Sequence, residues 1–356
     1  MVYNYKKSER QKLDRRKFLK VSSIMSATPL FAKNDERLFF KFPKKPFEYY
    51  HKKSKNSKFK VMLIGGIHGN EPGAYKAADM LVNATLKKGE LLIIPRSNFT
   101  SILADVRGYN GDMNRKFSAI SKKDPDYYYV NLLKSAILDY KPDVVISMHD
   151  GYGFYIKNKR AWGQSIVIDE KKYKNFNLFS EANFVKNHAN IYLKYKLGVN
   201  NTKTFSSHIH DEQKKALTGW CLENGVKAFC IEASKQLPSL KEKIRTHLVI
   251  LREFFKLYDV EVAEMDAMIK HPEKFVSDIM PLVELEINGK KEKIFASKNI
   301  KVPKGSEIIV CNIKGSRGSF AIPMGVNLNW TSFHAKKLNI TVKNDFEKKF
   351  NIKIWS

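Results

Sequence analysis

The chain has 356 residues, of which 43% are hydrophobic, 64 are Lys or Arg, 36 are Asp or Glu and only 3 are Cys. This length accommodates two or three domains of roughly 100–200 residues each, and the apolar content is enough to fill a sizeable core. No uncharged apolar run reaches the roughly 18–20 residues of a membrane-spanning helix, and three cysteines cannot form a disulfide framework. Polytopic membrane proteins and disulfide-stapled domains are therefore excluded.

The net charge of +28 is unevenly distributed along the chain. Residues 1–60 contain 18 basic and 5 acidic side chains, so this sixth of the chain carries almost half of the excess. Such a charge favours an anionic partner, and nucleic acid is the first candidate. No recognised nucleic-acid-binding motif accompanies the lysines, and we therefore predict no nucleic-acid partner.

The N-terminus has the features of an export signal. Two adjacent arginines, Arg15 and Arg16, open a basic segment that ends at Lys20, and a short stretch of small and apolar residues follows as far as Ala32. This pattern predicts a twin-arginine signal peptide over residues 1–32 and a periplasmic protein with no transmembrane span in its mature form. The alternative is a basic helix with a chance Arg pair.

The region from Lys58 to Tyr258 has the pattern of an α/β domain. Short apolar runs alternate with longer segments of helical period, which is typical of a parallel or mixed sheet covered by helices on both faces. The pattern predicts strands over 61–64, 91–94, 144–146 and 228–231, and helices over 71–86 and from Pro238 to 258.

After about Met268 the pattern changes to that of β structure. Residues 282–287 alternate between apolar and polar side chains, and Asn288-Gly289 supplies a hairpin turn. Further strands are predicted within 301–310 and 340–354. We therefore predict a domain of mixed sheet and flanking helices over 33–267, followed by a small all-β domain over 268–356.

The first chemical motif is the glycine-rich sequence around His68 and Glu71. An imidazole and a carboxylate three residues apart, at the point where a strand leads into a helix, can converge on one metal ion, and Zn²⁺ suits these ligands. The position is also favourable, because ligands bind outside the carboxyl ends of strands in open α/β sheets. The alternative is a glycine-rich turn with incidental polar residues.

His149 ends a second apolar strand and offers the third protein ligand that a catalytic zinc ion requires. Glu232 ends a further strand, and a carboxylate beside the metal can act as general base and then as general acid. The loop that contains Arg107, Asn114 and Arg115 can bind a substrate carboxylate and polarise a carbonyl, because guanidinium groups bind carboxylates in a bidentate manner. Each of these residues taken alone would be an ordinary surface or core residue.

Together and in this order, the motifs resemble those of the carboxypeptidase-A-like zinc peptidases. The resemblance implies that His68, Glu71 and His149 bind zinc and that Glu232 is the general acid and base. It also implies that Arg107 polarises the scissile carbonyl and that Asn114 and Arg115 clamp the terminal carboxylate of the substrate. The capping tyrosine of that superfamily is not assigned, although Tyr152 and Tyr155 are near in sequence.

Longer motifs are similar to those of a bacterial branch, the D,L-carboxypeptidases that trim peptidoglycan and determine helical cell shape. The similarity covers roughly 58–258 and rests on the segments 111–117, 149–155, 160–163 and 232–238. It implies release of meso-diaminopimelate from muramyl tripeptide, which leaves the dipeptide. It also implies a zinc carboxypeptidase fold with β domains after the catalytic domain.

Alternatives remain open at this point. The succinylglutamate desuccinylase and aspartoacylase branch shares the glycine-rich motif, and a non-catalytic peptidoglycan-binding protein would share the fold. His208, His210 and Asp211 offer a second candidate metal site. Cys221 and Cys230 are a candidate disulfide that sequence spacing cannot decide. The sequence does not determine the oligomeric state.

Overall fold

Strands and helices alternate through the first two thirds of the chain, as the hydrophobic pattern predicts. The computed structural model describes residues 36–356, and the predicted signal peptide of residues 1–32 lies outside the described residues. The helices are α1 Pro72–Asn83, α2 Phe99–Ala104, α3 Tyr127–Tyr140, α4 Leu178–Tyr192, α5 Leu217–Glu223, α6 Leu240–Leu257 and α7 Met265–Lys270. Short 3₁₀ turns lie at Met113–Arg115, Asp211–Lys215 and Pro272–Lys274.

The strands form two groups. The first group belongs to the α/β region, and the second group belongs to the β region. The first group is β2 Tyr50–Lys53, β3 Lys60–Ile64, β4 Leu86–Lys88, β5 Glu90–Ile94, β6 Val144–Gly151, β7 Ser165–Ile168, β8 Gly198–Asn201, β9 Ala228–Ser234 and β10 Glu261–Val262. The second group is β1 Leu38–Lys41, β11 Leu282–Ile287, β12 Lys290–Ile294, β13 Lys298–Lys301, β14 Glu307–Lys314, β15 Ser319–Pro323, β16 Ser332–Ala335, β17 Lys337–Asn344 and β18 Glu347–Trp355.

A seven-stranded mixed sheet forms the centre of the α/β region, with the order β2-β5-β3-β6-β9-β7-β8. The four central strands β5, β3, β6 and β9 run parallel. Strand β2 pairs antiparallel to β5, whereas β7 pairs antiparallel to β9 but parallel to β8. In the register of β6 and β9, His149 lies opposite Glu232. The carboxyl ends of the parallel strands therefore meet at one edge of the sheet.

Helices cover both faces of this sheet. Val61 and Leu63 of β3 belong to one apolar cluster with residues of α1, α4 and α6, whereas Met62 and Ile64 belong to another with residues of α3 and α5. The alternation follows from the two-residue repeat of a strand. Because both faces are covered, the strands are apolar throughout rather than alternating, as expected for parallel strands. Each large aliphatic side chain buried in this way contributes roughly 1.5–3 kcal/mol.

The β region is a sandwich of two sheets. One sheet has the order β12-β11-β14-β1-β16 and the other has the order β13-β18-β17-β15. A single apolar cluster lies between them, with members such as Phe40, Leu285 and Ile308 from the first sheet and Ile340 and Ile352 from the second. The fold class predicted from the sequence, a mixed α/β sheet flanked by helices followed by an all-β region, is confirmed.

Most predicted elements are present at nearly the predicted positions. The Asn288-Gly289 hairpin is confirmed, since both residues have positive φ (49° and 82°) and join β11 to β12. One strand was not expected: β1 precedes the α/β region in sequence but pairs with β14 and β16 of the sandwich. The predicted division into 33–267 and 268–356 stays a prediction, but it does not account for this strand.

Two kinds of contact join the sandwich to the α/β region. Phe320 and Ile322 of β15 pack in one apolar cluster with Phe99 and Ile102 of α2. Beside this cluster, the buried Arg96 forms ion pairs with Asp79 and with Asp345 of the sandwich. Residues 37–356 accordingly form one compact unit. Within the described residues, no helix combines the length and apolar character that a membrane crossing requires.

Candidate metal centre and active site

The predicted metal ligands lie at the carboxyl ends of adjacent parallel strands. After β3 the chain turns through Gly66, which has a φ of +72°, and places His68 and Glu71 immediately before α1. Pro72 occupies the first turn of α1, where its lack of an N–H group has no cost. His149 lies near the end of β6, the neighbour of β3. The strand order therefore brings these three side chains together.

His68, Glu71 and His149 form a compact, buried group. Nδ1 of His68 lies 3.0 Å from Oε1 of Glu71, and Nδ1 of His149 lies 2.9 Å from Oε2 of Glu71. The two Nδ1 atoms lie 3.0 Å apart. All three residues are at most 3% exposed. A metal site needs at least three His, Cys, Asp or Glu side chains whose ligand atoms lie close together. Among residues 36–356, this group meets that condition.

The donor set fits a small tetrahedral cation. Ligand atoms bound at about 2.0–2.1 Å in tetrahedral geometry lie about 3.3 Å apart, close to the separations found here. Burial alone would raise the pKa of Glu71, but the adjacent imidazoles outweigh it and hold that pKa well below its usual range. The carboxylate is therefore ionised. The ligand atoms of all three buried side chains face one another, so a cation placed between them would contact all three.

Polar neighbours orient both imidazoles. Nε2 of His68 lies 3.0 Å from Oδ1 of Asp112, and Nε2 of His149 lies 3.0 Å from the hydroxyl of Ser147. If each Nε2 donates to its oxygen partner, each Nδ1 keeps its lone pair for the metal. Sequence reasoning did not assign Asp112, although it lies two residues before Asn114 in a motif that was singled out.

Glu232 lies beside the metal ligands with part of its carboxylate unpartnered. The residue is 7% exposed, and its Oε2 atom has no hydrogen-bond partner among residues 36–356. Oε1 accepts a weak hydrogen bond from the thiol of Cys230 at 3.6 Å. Burial, followed by the nearby carboxylates of Glu71 and Asp150, raises the pKa of Glu232 well above its usual value. A cation bound nearby would instead lower the pKa of Glu232.

Glycine is required next to this carboxylate. A Cβ atom at Gly151 would lie 2.7 Å from Oε2 of Glu232 and 2.8 Å from the backbone nitrogen of Gly163. A side chain at position 151 would therefore occupy the space that the unpartnered oxygen faces. This close approach explains the glycine that follows the His-Asp pair at the end of β6.

The predicted substrate-binding residues line the same cleft. The guanidinium of Arg107 donates to Oδ2 of Asp112 at 3.0 Å and to Oε1 of Glu71 at 3.4 Å. Oδ1 of Asn114 accepts the backbone N–H of Leu217 at 3.0 Å, and the Nδ2 group of this amide has no hydrogen bond to any described residue. Arg115 donates only to the backbone oxygen of Asn114 among its described contacts. The cleft therefore contains guanidinium and amide donors as well as the carboxylate of Glu232.

The cleft has a volume of about 240 Å³. It brings together all seven predicted residues: His68, Glu71, Arg107, Asn114, Arg115, His149 and Glu232. Of the two tyrosines left unassigned, Tyr152 lines the cleft, whereas Tyr155 lies against Gly198. Lys235 also lines it, with its Nζ atom 3.8 Å from Oε1 of Glu71. No local sequence pattern predicts the orientation of this lysine.

A buried pair supports the strand end from behind. Oδ1 of Asp150 lies 2.9 Å from Nε2 of His247 on α6, and Oδ2 accepts the backbone N–H of Gly73 at 2.8 Å. The backbone N–H of Asp150 in turn donates to Oε2 of Glu71 at 3.2 Å. Asp150 therefore links α1, α6 and the metal-ligand carboxylate. The sequence around His149 indicates the end of a strand, but it does not predict that Asp150 links these elements.

The other candidate sites do not form comparable groups. His208 is exposed and lies 3.3 Å from the exposed Asp211, while the ring of His210 contacts Trp162 at the rim of the cleft. Cys221 and Cys230 are both buried and both free, and no disulfide joins them. Burial raises the pKa of both thiols, so they behave as core residues.

The fold and the site can now be compared with known proteins. Residues 42–267 match the catalytic family described as carboxypeptidases controlling helical cell shape. The product-bound structure of the cell shape determinant Csd4 from Helicobacter pylori is similar, with a TM-score of 0.60 and 20% identity over 87% of this chain and 100% of that chain. Its tripeptide-bound structure gives the same values. The mDAP-bound structure, described as a D,L-carboxypeptidase, gives a TM-score of 0.58 and 19% identity over 86% and 99% of the two chains.

A comparison with curated protein sequences gives no match. Identities near 20% with the Helicobacter structures show a shared fold, whereas the family match is a match of sequence. The resemblance to shape-determining carboxypeptidases that the motifs predict is confirmed. Since the match covers more than half of the chain, the protein belongs to the family of carboxypeptidases that control helical cell shape.

Proposed function

We propose that the protein is a zinc-dependent D,L-carboxypeptidase that trims peptidoglycan muramyl tripeptide to dipeptide by releasing meso-diaminopimelate. The observation that carries this proposal is the cleft itself, which is lined by a buried His-Glu-His group, by Glu232 with its unpartnered Oε2 atom and by two arginines. The Csd4 structures, described as tripeptide-bound and mDAP-bound, support this choice of substrate.

Zinc is the metal that suits the ligand set best. Two imidazoles and one carboxylate, with a further position open to the cleft, are the ligands typical of catalytic zinc sites in proteases. When bound, zinc acts as a Lewis acid and lowers the pKa of water to about 7. His68, Glu71 and His149 would hold it through the three converging atoms, with Asp112 and Ser147 keeping the imidazoles in the correct tautomer.

The remaining residues act on the substrate. Arg115 and the Nδ2 donor of Asn114 bind the terminal carboxylate of diaminopimelate, because paired cationic and amide donors suit a carboxylate. Arg107 donates to the carbonyl oxygen of the scissile bond as negative charge develops there. Glu232 takes a proton from the attacking water at Oε2 and gives it to the leaving amine. The acidic substrate thus meets a site rich in donors.

The direct test is an assay with two substrates. Purified, zinc-loaded protein is incubated separately with muramyl tripeptide and with N-succinylglutamate, and the products are identified by mass spectrometry. We expect release of meso-diaminopimelate and no release of succinate. Succinate release without diaminopimelate release would instead assign the protein to the desuccinylase branch.

We also propose that the enzyme acts in the periplasm after export by the twin-arginine route. The support is the Arg15-Arg16 pair and the short apolar stretch after it. Replacing both arginines with lysine keeps the charge but removes the pair that the export machinery reads. We expect the variant protein to stay in the cytoplasmic fraction, and an unchanged periplasmic level would contradict this route.

A further inference from the structure

The outer face of the β13-β18-β17-β15 sheet has an unusual composition. Ile300, Ile354 and Leu338 are aligned across three strands and point into the core of the sandwich. Because side chains alternate along a strand, the neighbouring rows point outward. One outward row is Lys301, Trp355 and Lys337, and the next is Asn299, Lys353 and Asn339. We call these six residues the lysine–tryptophan platform.

The platform is cationic and its charges have no partners. Lys301, Lys337 and Lys353 are exposed, and no ion pair or side-chain hydrogen bond joins their ammonium groups to any residue between 36 and 356. Neither row contains an acidic residue. Lys298, on the same strand as Lys301 but outside both rows, forms an ion pair with Glu292. The platform lysines therefore differ from a neighbour that is neutralised within the fold.

The geometry of the platform suits a flat polymer. Adjacent strands lie about 4.8 Å apart, so Trp355 has a lysine close on either side, and the second row adds two amides around Lys353. An aromatic ring offers an apolar face for a sugar ring, amides bond to hydroxyl and acetamido groups, and ammonium groups pair with carboxylates. Trp355 remains partly exposed, so its side chain is accessible.

The platform is also continuous with the contact to the catalytic region. Ile322 of β15 lies opposite Thr341 of β17, on the same outward face as Asn339 and Lys337. Ile322 packs against α2. The same sheet face therefore contacts the α/β region at β15 and presents the platform across β17, β18 and β13.

We propose that the lysine–tryptophan platform binds the glycan strand of the cell wall, whose sugars are flanked by carboxylates on the attached stem peptides. The proposal extends the proposed function, because it places on the β sandwich a second binding surface for the polymer that carries the substrate. Positive charge without acidic neighbours matches the carboxylates of such a strand, and the aromatic ring matches its sugars. The platform lies on a different sheet from the cleft, so binding can be measured without hydrolysis.

The test is a sedimentation assay with purified peptidoglycan sacculi, using the full chain in the presence of a chelator. The platform variant K301Q/K337Q/K353Q removes three charges, and the control variant K290Q/K291Q/K293Q removes three exposed charges from β12. We expect the platform variant to bind about tenfold more weakly and the control to bind like the parent protein. Equal binding by all three, or equal loss in both variants, would overturn the proposal.

Further arms identify the ligand and the role of the ring. Sacculi stripped of stem peptides by an amidase expose a lactyl carboxylate on every muramic acid, so we expect binding to be kept. Loss of binding would indicate a peptide and overturn the glycan assignment. The protein should bind only weakly to sacculi whose carboxylates have been converted to amides. W355L should weaken binding, whereas W355F should keep most of it. Both variants should hydrolyse soluble tripeptide as the parent does. Equal binding by the two variants would exclude a role for the aromatic ring in binding.

Discussion

Two buried charged clusters lie at the carboxyl edge of the same sheet, and they differ in whether their charges are compensated. After β5, Arg96 bonds to Asp79 and Asp345, Lys76 also pairs with Asp345, and Arg317 pairs with Asp79. After β3, β6 and β9, the cleft instead contains three converging metal-ligand atoms and a glutamate whose Oε2 atom is unpartnered. The charges of the first cluster are paired within the chain, whereas the second cluster leaves Oε2 of Glu232 without a partner among the described residues.

The difference shows why a buried charge is by itself weak evidence for function. Arg96 is as buried as His68, each at 3% exposed. What distinguishes their surroundings is that Arg96 lies in a cluster of paired opposite charges, whereas the cleft beside His68 contains Oε2 of Glu232, which has no partner among residues 36–356. Neutralising a carboxylate of the cleft should therefore lower the catalytic rate. Neutralising a carboxylate of the ionic network should instead lower the free energy of unfolding.

The largest effect is expected for Glu232→Gln. The substitution keeps the shape but removes the group that accepts and returns the proton, so kcat/KM on muramyl tripeptide should fall by about 10²–10⁴-fold. Zinc content and the unfolding temperature should stay unchanged, since Glu232 is not one of the three ligands. Kinetics, metal analysis and thermal unfolding check these expectations. Glu212→Gln, on an exposed residue, is the control, and unchanged turnover in Glu232→Gln would refute the role of Glu232.

The next effect is expected for Asp345→Asn. The substitution leaves Arg96 and Lys76 buried without a full counter-charge, and breaking such a pair costs about 3–5 kcal/mol. Denaturant unfolding should show this loss, while the folded variant keeps kcat/KM within about twofold. Asp266→Asn, which breaks an exposed ion pair with Arg252, should have a much smaller effect. Equal stability of the two variants would show that the network does not hold the sandwich in place.

A smaller effect is expected for Asp112→Asn. The amide still contacts His68 but no longer supplies the negative charge that favours the Nδ1 lone pair for the metal, so zinc affinity should fall by about 10–100-fold. Competition with a chromophoric chelator measures this directly. Asp139→Asn, on an exposed position of α3, is the matched control. Parent-like zinc affinity in Asp112→Asn would exclude an orienting role for this carboxylate.

The smallest effect is expected for His208→Ala. The imidazole is exposed and pairs only with an exposed aspartate among its described contacts, so zinc should remain at about one ion per chain and turnover within about twofold. Metal analysis of His208→Ala beside His68→Ala tests the point, because only the second variant should lose the ion. Loss of half of the bound metal in His208→Ala would establish a second site.

Much of the site was predictable because its residues follow strands. A run such as Val61-Met62-Leu63-Ile64 indicates a buried strand, and polar residues directly after it lie at the sheet edge where ligands bind. His68, Glu71, His149 and Glu232 were found by this reasoning. Arg107, Asn114 and Arg115 lie on a loop, and their roles came from the motif order rather than from any periodicity. Their position in the cleft now supports those roles.

The same reasoning could not predict the contacts of Asp112, His247 and Lys235. Asp112 reaches His68 over 44 positions of sequence, and His247 reaches Asp150 over 97. Nothing in the local pattern of either residue encodes such a contact. Strand β1 is similar, because a run of three apolar residues before Lys41 does not reveal that it pairs with β14 more than 260 positions later.

The sequence by itself determined the alternation of strands and helices, the hairpin at Asn288-Gly289 and the candidate metal ligands, since these depend on local periodicity, turn geometry and short spacing. Only the tertiary structure decided which charges are compensated. It placed Asp345 against Arg96 and left Oε2 of Glu232 without a partner. The reason is physical: compensation depends on which distant groups the sheet order brings within hydrogen-bond distance, and the sequence does not specify that order locally.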